Sequence, residues 1–129
     1  MNTYQVTVTR EDGLWVADIW NPELGPAATD AARFTDLDAE VRDLIAGLTG
    51  SAPDEAALTW RFVIDGADVT RVVTRLLDAE AELRNATRLR AEARTQALRE
   101  LADSGLPQSA IGDILGVSHQ RVHQLLKAS

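Results

Sequence analysis

The chain has 129 residues, of which 45% are hydrophobic, and its formal net charge is −7 at pH 7. This is the length of one ordinary domain or two small ones, with the composition of a folded globular protein. It contains no cysteine, which excludes a disulfide framework and a cysteine-based zinc finger. The N-terminal sequence has no basic stretch followed by an apolar one, and no apolar run approaches the ~18 residues of a membrane span, so we expect a cytoplasmic location.

The first thirty residues predict two or three β-strands. Apolar and polar side chains alternate over residues 4–9, which is the period of a half-buried strand. Glu11-Asp12-Gly13 is a turn sequence, and residues 14–20 are rich in strand-forming side chains, so a hairpin is expected. A loop containing proline and glycine follows, and residues 27–30 are the candidate for a short third strand.

A helix and a further strand follow the hairpin. Thr35 is the predicted N-cap, and the residues after it place Leu37, Val41, Leu44, Ile45 and Leu48 on one apolar helix face that ends at Gly47 and Gly50. Residues 58–64 then alternate again and predict a strand that covers the helix, ending at Asp65-Gly66. The order β-β-β-α-β predicts an α+β domain over residues 1–66.

This half of the chain resembles a known family. The segment YQVTVTREDGLWVADIWNPELG resembles the opening hairpin of the HicB-type antitoxin domain, and FTDLDAEVRDLIAGL resembles its following helix. The double-stranded-RNA-binding domain has a similar order of elements but needs basic loops. Residues 1–66 hold 4 basic and 12 acidic residues, a net charge of −8, which favours the HicB-like interpretation.

The next stretch predicts an all-α connector over residues 67–90. From residue 67 to residue 103 the pattern is helical without proline or glycine, and it fits either one long helix or two helices meeting near Asn85. This helical stretch is either a solvated connector or a dimerisation helix that uses the stripe Val69, Val73, Leu76 and Leu83. The N-terminal sheet is the second candidate for a dimer surface.

The C-terminal residues 91–129 predict a helix-turn-helix. Within LPQSAIGDILGVSHQRVHQLLK, apolar residues recur at helical spacing on both sides of Gly116, including Ile111, Ile114 and Leu115 before it. Gly116 ends the first helix in the left-handed conformation that glycine adopts at little cost, and Ser118 is the N-cap of the second. Two short helices joined in this way form a helix-turn-helix.

The segment ILGVSHQRVHQLL resembles the second half of the helix-turn-helix in sigma-factor and repressor-type regulators. In that family a small residue stands four before the turn glycine, because the helices cross closely there, and this chain has Gly112. The resemblance implies base contacts from Gln120, Arg121 and Gln124, with His119 as a further candidate. It assigns phosphate contacts to Ser118 and Lys127. Gln pairs bidentately with adenine and Arg with guanine.

The charge of this segment bears on how it would bind DNA. Residues 91–129 hold 4 basic and 4 acidic residues, so one copy neutralises few phosphates and should bind weakly. A homodimer, or a second DNA-binding partner, is therefore expected. His119 and His123 have metal-ligand spacing, but no third ligand is nearby, so we expect no metal. No nucleophile–base pair, phosphate-binding loop or dinucleotide fingerprint is present in the sequence, so neither an enzyme nor a cofactor is expected.

The leading functional hypothesis is a dimeric, sequence-specific transcription regulator that binds double-stranded DNA. The HicB resemblance adds the hypothesis that it is an antitoxin, whose N-terminal domain binds a small basic ribonuclease toxin. The alternative is an interaction or assembly protein whose helices bind only protein.

Overall fold

The computed structural model describes residues 3–128, which divide after Leu76 into two compact units. The strands are β1 (Thr3–Glu11), β2 (Leu14–Asn21), β3 (Gly25–Ala31), β4 (Ala57–Ile64) and β5 (Ala67–Asp68). The helices are α1 (Leu37–Thr49), α2 (Thr70–Asp103), α3 (Gln108–Leu115) and α4 (His119–Ala128). An α+β arrangement followed by helices is therefore present, as the sequence predicted.

The N-terminal unit is a five-stranded sheet with the order β3-β2-β1-β4-β5. β1 pairs antiparallel with β2 and parallel with β4. α1 packs on one face of this sheet, where the core residues are Tyr4, Val6, Val8, Ala17, Ile19, Ala31, Leu37, Val41, Ile45 and Phe62. The alternating pattern of β1 is thus confirmed, and so is the apolar face of α1 for Leu37, Val41, Leu44 and Ile45, because these side chains share one core. Leu48, predicted on the same face near the end of α1, is 55% exposed.

Two details of this unit differ from the prediction. Thr35 does not cap α1. It lies in a short 3-10 turn, Phe34–Asp36, and Asp36 occupies the N-cap position of α1. Phe34 in this turn makes an edge contact with Trp15, at 5.1 Å between ring centroids, and lies 5.8 Å from Phe62. β3 extends beyond the expected residues 27–30, because its pairing with β2 continues from one end of the strand to the other.

The residues after Asp65-Gly66 form a fifth strand rather than the start of a helix. The turn folds β5 back onto the end of β4, and the backbone N–H of Val69 donates to the carbonyl oxygen of Phe62 at 2.9 Å. The N–H of Phe62 donates to the hydroxyl of Thr70 at 2.9 Å. The helix predicted from residue 67 therefore begins at Thr70, and the order of elements is β-β-β-α-β-β.

α2 is one continuous helix, so a break near Asn85 is wrong. At about 1.5 Å per residue its 34 residues span roughly 51 Å. The Arg88 side chain bonds both Asn85, at 2.7 Å, and Glu92, at 2.8 Å, on the surface of the region where a break was considered. Val69 and Val73 pack against the N-terminal core, whereas Leu76 and Leu83 are exposed, so the four do not form one free stripe.

Candidate nucleic-acid interface

The last turns of α2 pack with α3 and α4 around a small apolar core. Each helix contributes one buried apolar side chain: Leu98, Ile111 and Val122. Around them lie the half-buried side chains Leu101, Ala102, Leu106, Leu115, Val117, Leu125 and Leu126. Ile114, expected on the inner face of α3, is 62% exposed. The buried side of α3 is centred between Ile111 and Gly112. At about 100° per residue, Ile114 points roughly 110° away from that centre and so lies outside the buried side.

The connection between α2 and α3 is held by backbone hydrogen bonds. Gly105 has φ 83°, its N–H donates to Ala102 at 3.0 Å, and the N–H of Leu106 donates to Leu101 at 3.3 Å. This is the Schellman arrangement, and the contact of Leu106 with the same core accompanies it. Pro107 then stands at the start of α3, where its carbonyl oxygen accepts from the N–H groups of residues 110 and 111.

The turn between α3 and α4 brings two backbone segments into close contact. Gly116 has φ 74°, as its role at the helix end requires, and the Val117 N–H donates to the Gly112 carbonyl oxygen at 2.9 Å. A β-carbon on Gly112 would lie 2.5 Å from the Val117 carbonyl oxygen and 3.4 Å from the His119 nitrogen. The crossing is thus closer than alanine allows without movement of the turn.

Ser118 caps α4 as predicted. Its hydroxyl oxygen accepts the backbone N–H of Arg121 at 3.1 Å, which satisfies one donor at the N-terminus of the helix. The hydroxyl hydrogen of Ser118 is still available to donate to a phosphate oxygen.

The six predicted DNA-contacting residues are Ser118, His119, Gln120, Arg121, Gln124 and Lys127, and all are exposed. At about 100° per residue, Gln120, Gln124 and Lys127 lie within roughly 40° of the direction opposite Val122, whereas Arg121 lies toward one edge of this surface. Arg121 Nη1 donates to Gln124 Oε1 at 3.3 Å, so these two side chains form one polar unit. The structure exposes all six and brings Gln120, Gln124 and Lys127 onto the surface opposite Val122, whereas His119 lies on the side of α4 nearer the core. The DNA contacts of all six stay predictions.

One neighbour of this surface was missed from the sequence. Gln108 Nε2 lies 3.5 Å from His123 Nδ1, so the first residue of α3 adjoins the exposed side of α4. Fifteen residues separate them, and no spacing rule would have joined them. Within residues 3–128 no group of three His, Cys, Asp or Glu side chains is placed to hold a metal ion.

Three helices packed on one core, with a glycine turn before a capped exposed helix, define a helix-turn-helix domain. Residues 88–129 match the family model of the homeodomain-like domain, which is about a third of the chain. This match supports a DNA-binding role for the C-terminal part. No curated protein and no solved structure matches the chain. No helix in the described part of the chain is long and apolar enough to cross a membrane.

Proposed function

We propose that this protein is a sequence-specific DNA-binding transcription regulator that inserts α4 into the major groove. The observation that carries the proposal is the two-sidedness of α4: Val122 is fully buried, and polar side chains capable of base readout occupy the opposite surface. In a helix-turn-helix the second helix lies in the major groove with its N-terminal residues at the base edges.

The chemistry of the exposed residues divides into base and phosphate contacts. Gln120, near the start and the centre of the surface, is suited to adenine, and Arg121 to guanine. The hydrogen bond from Arg121 to Gln124 uses only one of the guanidinium donors, so the others can still reach a base. Ser118 and Lys127, at the two ends of α4, contact phosphate in this proposal.

A homodimer is part of this proposal. Residues 91–129 carry equal numbers of acidic and basic residues, so a single copy gains little from phosphate neutralisation. Two linked copies double the contacts, and the second contact becomes intramolecular once the first has formed. We expect two half-sites separated by one helical turn of DNA or a multiple of it.

Selection of DNA from a random library by the full-length protein tests this function. We expect one enriched sequence, bound with an affinity that falls steeply with salt. A Gln120→Ala/Gln124→Ala variant is the matched control, because it removes base contacts and leaves every charge in place. It should keep weak, salt-dependent binding and lose the sequence preference. Failure to retain any DNA at low salt would favour the alternative, an interaction module without DNA binding.

We infer a second role for the N-terminal unit, as an antitoxin that binds a small basic ribonuclease toxin and covers its RNA-binding surface. What supports it is the net charge of −8 over residues 1–66, together with the resemblance of the hairpin and helix to the HicB-type domain. Exposed acidic side chains line α1 and its entry, namely Asp36, Asp38, Glu40 and Asp43. Opposite charge accelerates encounter and favours the correct partner.

The antitoxin role is tested by co-expressing the full chain with any small basic protein encoded beside its gene. We expect the full chain to relieve the growth arrest caused by that protein. A variant with Asp36→Asn, Glu40→Gln and Asp43→Asn should relieve it less, whereas the Gln120→Ala/Gln124→Ala variant should relieve it fully. No relief would refute the antitoxin role and leave the DNA-binding proposal standing.

A further inference from the structure

The middle of α2 is a long stretch of helix whose side chains are all exposed. Every residue from 74 to 93 is exposed, including four leucines, Leu76, Leu77, Leu83 and Leu89. Val72 is 68% exposed, Leu76 58% and Leu83 64%. Most helices in proteins are stabilised chiefly by packing of an apolar face rather than by helix propensity. An exposed segment of this length with large apolar side chains is therefore expected to pack against another molecule.

Five apolar residues of α2, from Val72 into the exposed segment, follow the repeat of a coiled coil, whereas Leu77 and Leu89 lie off it. Val72, Leu76, Ala79, Leu83 and Ala86 are separated by four, three, four and three residues, which is the spacing of core positions in a heptad. We call these five residues the seam. Arg90 is next in the series and ends it. The seam shares Leu76 and Leu83 with the stripe predicted from sequence and replaces Val69 and Val73, which the N-terminal core uses.

We propose that a second copy of this chain packs on the seam as a parallel, in-register coiled coil. In that arrangement each seam residue meets its own counterpart. The intervals 4, 3, 4 and 3 become 3, 4, 3 and 4 when the helix is reversed. An antiparallel pair can therefore place at most four of the five seam residues opposite a seam residue of the partner. Two copies also bury both seams, whereas an unrelated partner would need a matching heptad of its own.

The charges beside the seam favour the parallel arrangement over an antiparallel one in which Leu76 faces the partner's Ala86. Arg75 directly precedes Leu76 of the seam, and Glu80 directly follows Ala79. In a parallel coiled coil, residues at these two flanking positions of opposite helices lie close to each other across the interface. Arg75 would face the partner's Glu80, and the two-fold symmetry gives this pair twice. In an antiparallel pair with Leu76 opposite the partner's Ala86, Glu80 and Glu82 would each approach their own counterparts. Neither Arg75 nor Glu80 is in an ion pair within the described single chain.

Recognition of a two-fold symmetric DNA site by such a dimer rests on the proposed DNA binding, whereas the packing of two seams does not. Parallel helices leave the seam at the same end, so the two helix-turn-helix domains follow the seam on one side and can address a two-fold symmetric site. Arg90 at the next core position disfavours continued contact, because it would place like charges together. Testing the seam without DNA keeps failure of this inference separate from failure of the proposed function.

Introduced thiols test the arrangement directly, because the chain has no cysteine. In a parallel pair the two residues at position 79 meet at the core, so Ala79→Cys should give a disulfide-linked dimer under mild oxidation. Ala81→Cys is the matched control: it is two residues away, equally an alanine in α2, exposed, and off the seam. It should stay largely unlinked. Equal linking at both positions, or at neither, would overturn the proposal.

Charge reversal gives a second measurement that requires no oxidation. Arg75→Glu and Glu80→Arg should each lower dimer affinity severalfold in sedimentation, and the two together should restore it, because the attractive pairs re-form with exchanged signs. An antiparallel dimer does not bring these two residues together, so failure of the double variant to recover would reject the parallel arrangement. A wild-type chain that is monomeric at roughly tens of micromolar, well above typical specific DNA affinities, would reject the second copy as the occupant.

Discussion

The carbonyl oxygen of Val117 lies so close to Gly112 that a β-carbon there would be 2.5 Å away. The same two residues are joined by a hydrogen bond in the other direction, from the Val117 N–H to the Gly112 carbonyl oxygen at 2.9 Å. Because both contacting groups are backbone, neither can rotate away as a side chain could. The spacing of α3 and α4, and with it the placement of the exposed surface of α4, depends on the absence of a side chain at residue 112.

Gly112→Ala should therefore destabilise the protein. Alanine is the better helix former by about 1 kcal/mol, but forcing a methyl group into a packed site costs typically about 1–3 kcal/mol. Gly47→Ala in α1 is the matched control, since a β-carbon there meets no atom within 4 Å, and it should stabilise slightly. Denaturant unfolding of both variants measures the effect. A Gly112→Ala protein as stable as the wild type would show that the turn moves freely.

Ser118→Ala should lower stability by about 1 kcal/mol, because it removes the cap that satisfies the Arg121 N–H. Ser118→Asp keeps a capping oxygen and should retain the stability. It also places a negative charge where a phosphate is expected, so DNA affinity should fall. Unfolding and DNA titration of the two variants separate capping from DNA contact. Equal DNA affinity of Ser118→Asp and the wild type would argue against a phosphate beside Ser118.

Arg121→Ala should weaken binding to the selected DNA site by roughly 1–3 kcal/mol while leaving stability nearly unchanged, because the side chain is exposed. Arg84→Ala, which removes the same charge from α2 outside residues 88–129, should have little effect on affinity. Since Arg121 bonds Gln124, a cycle with Gln124→Ala should show non-additive losses. Titration of labelled DNA measures the affinity of the wild type, the three single variants and the double variant. If Arg121→Ala binds the selected site as tightly as the wild type, Arg121 does not contact the DNA.

Leu76→Glu/Leu83→Glu should make the protein monomeric and lower its DNA affinity, because it places four carboxylates in the seam of a dimer. The variant Ala81→Glu/Asn85→Glu adds the same charge to exposed positions of α2 off the seam and should remain dimeric. Sedimentation gives the oligomeric state, and DNA titration at one salt concentration gives the affinity. Loss of DNA binding by both variants would point to long-range repulsion rather than to the seam.

The entry into α2 should contribute to the acid sensitivity of the fold. Hydrogen bonds from the Thr70 hydroxyl and then its backbone N–H hold the pKa of Asp68 below its ordinary value of 3.8, and Arg61 adds to the effect. Because this pKa is depressed in the folded state, the contribution to stability is present above the unfolded pKa and is lost as pH falls through the folded one. The stability difference between wild type and Asp68→Asn should shrink as pH falls through the ordinary carboxyl pKa and then through the lower pKa of the folded state. A constant difference in unfolding experiments would contradict this.

Several elements depend on local chemistry, and the sequence by itself determined them. The alternation over residues 4–9, the left-handed glycine at residue 116 and the serine cap after it act through neighbouring backbone atoms. Such interactions need no knowledge of the rest of the chain, so the hairpin, α1 and the helix-turn-helix were recognised from sequence. The surface formed by Gln120, Gln124 and Lys127 follows from the same helical period, since Val122 must face inward.

Other features required contacts between residues far apart in the chain, and only the tertiary structure decided them. Residues 67–68 became a strand because the turn before them returned the chain to β4. Val73 joined the N-terminal core, while Leu76, one turn further along α2, did not. Ile114 was left exposed because the closest approach of α4 lies on the side of Gly112. In each case the helical or strand pattern allowed more than one face to be buried, and the choice depended on which backbone lay opposite.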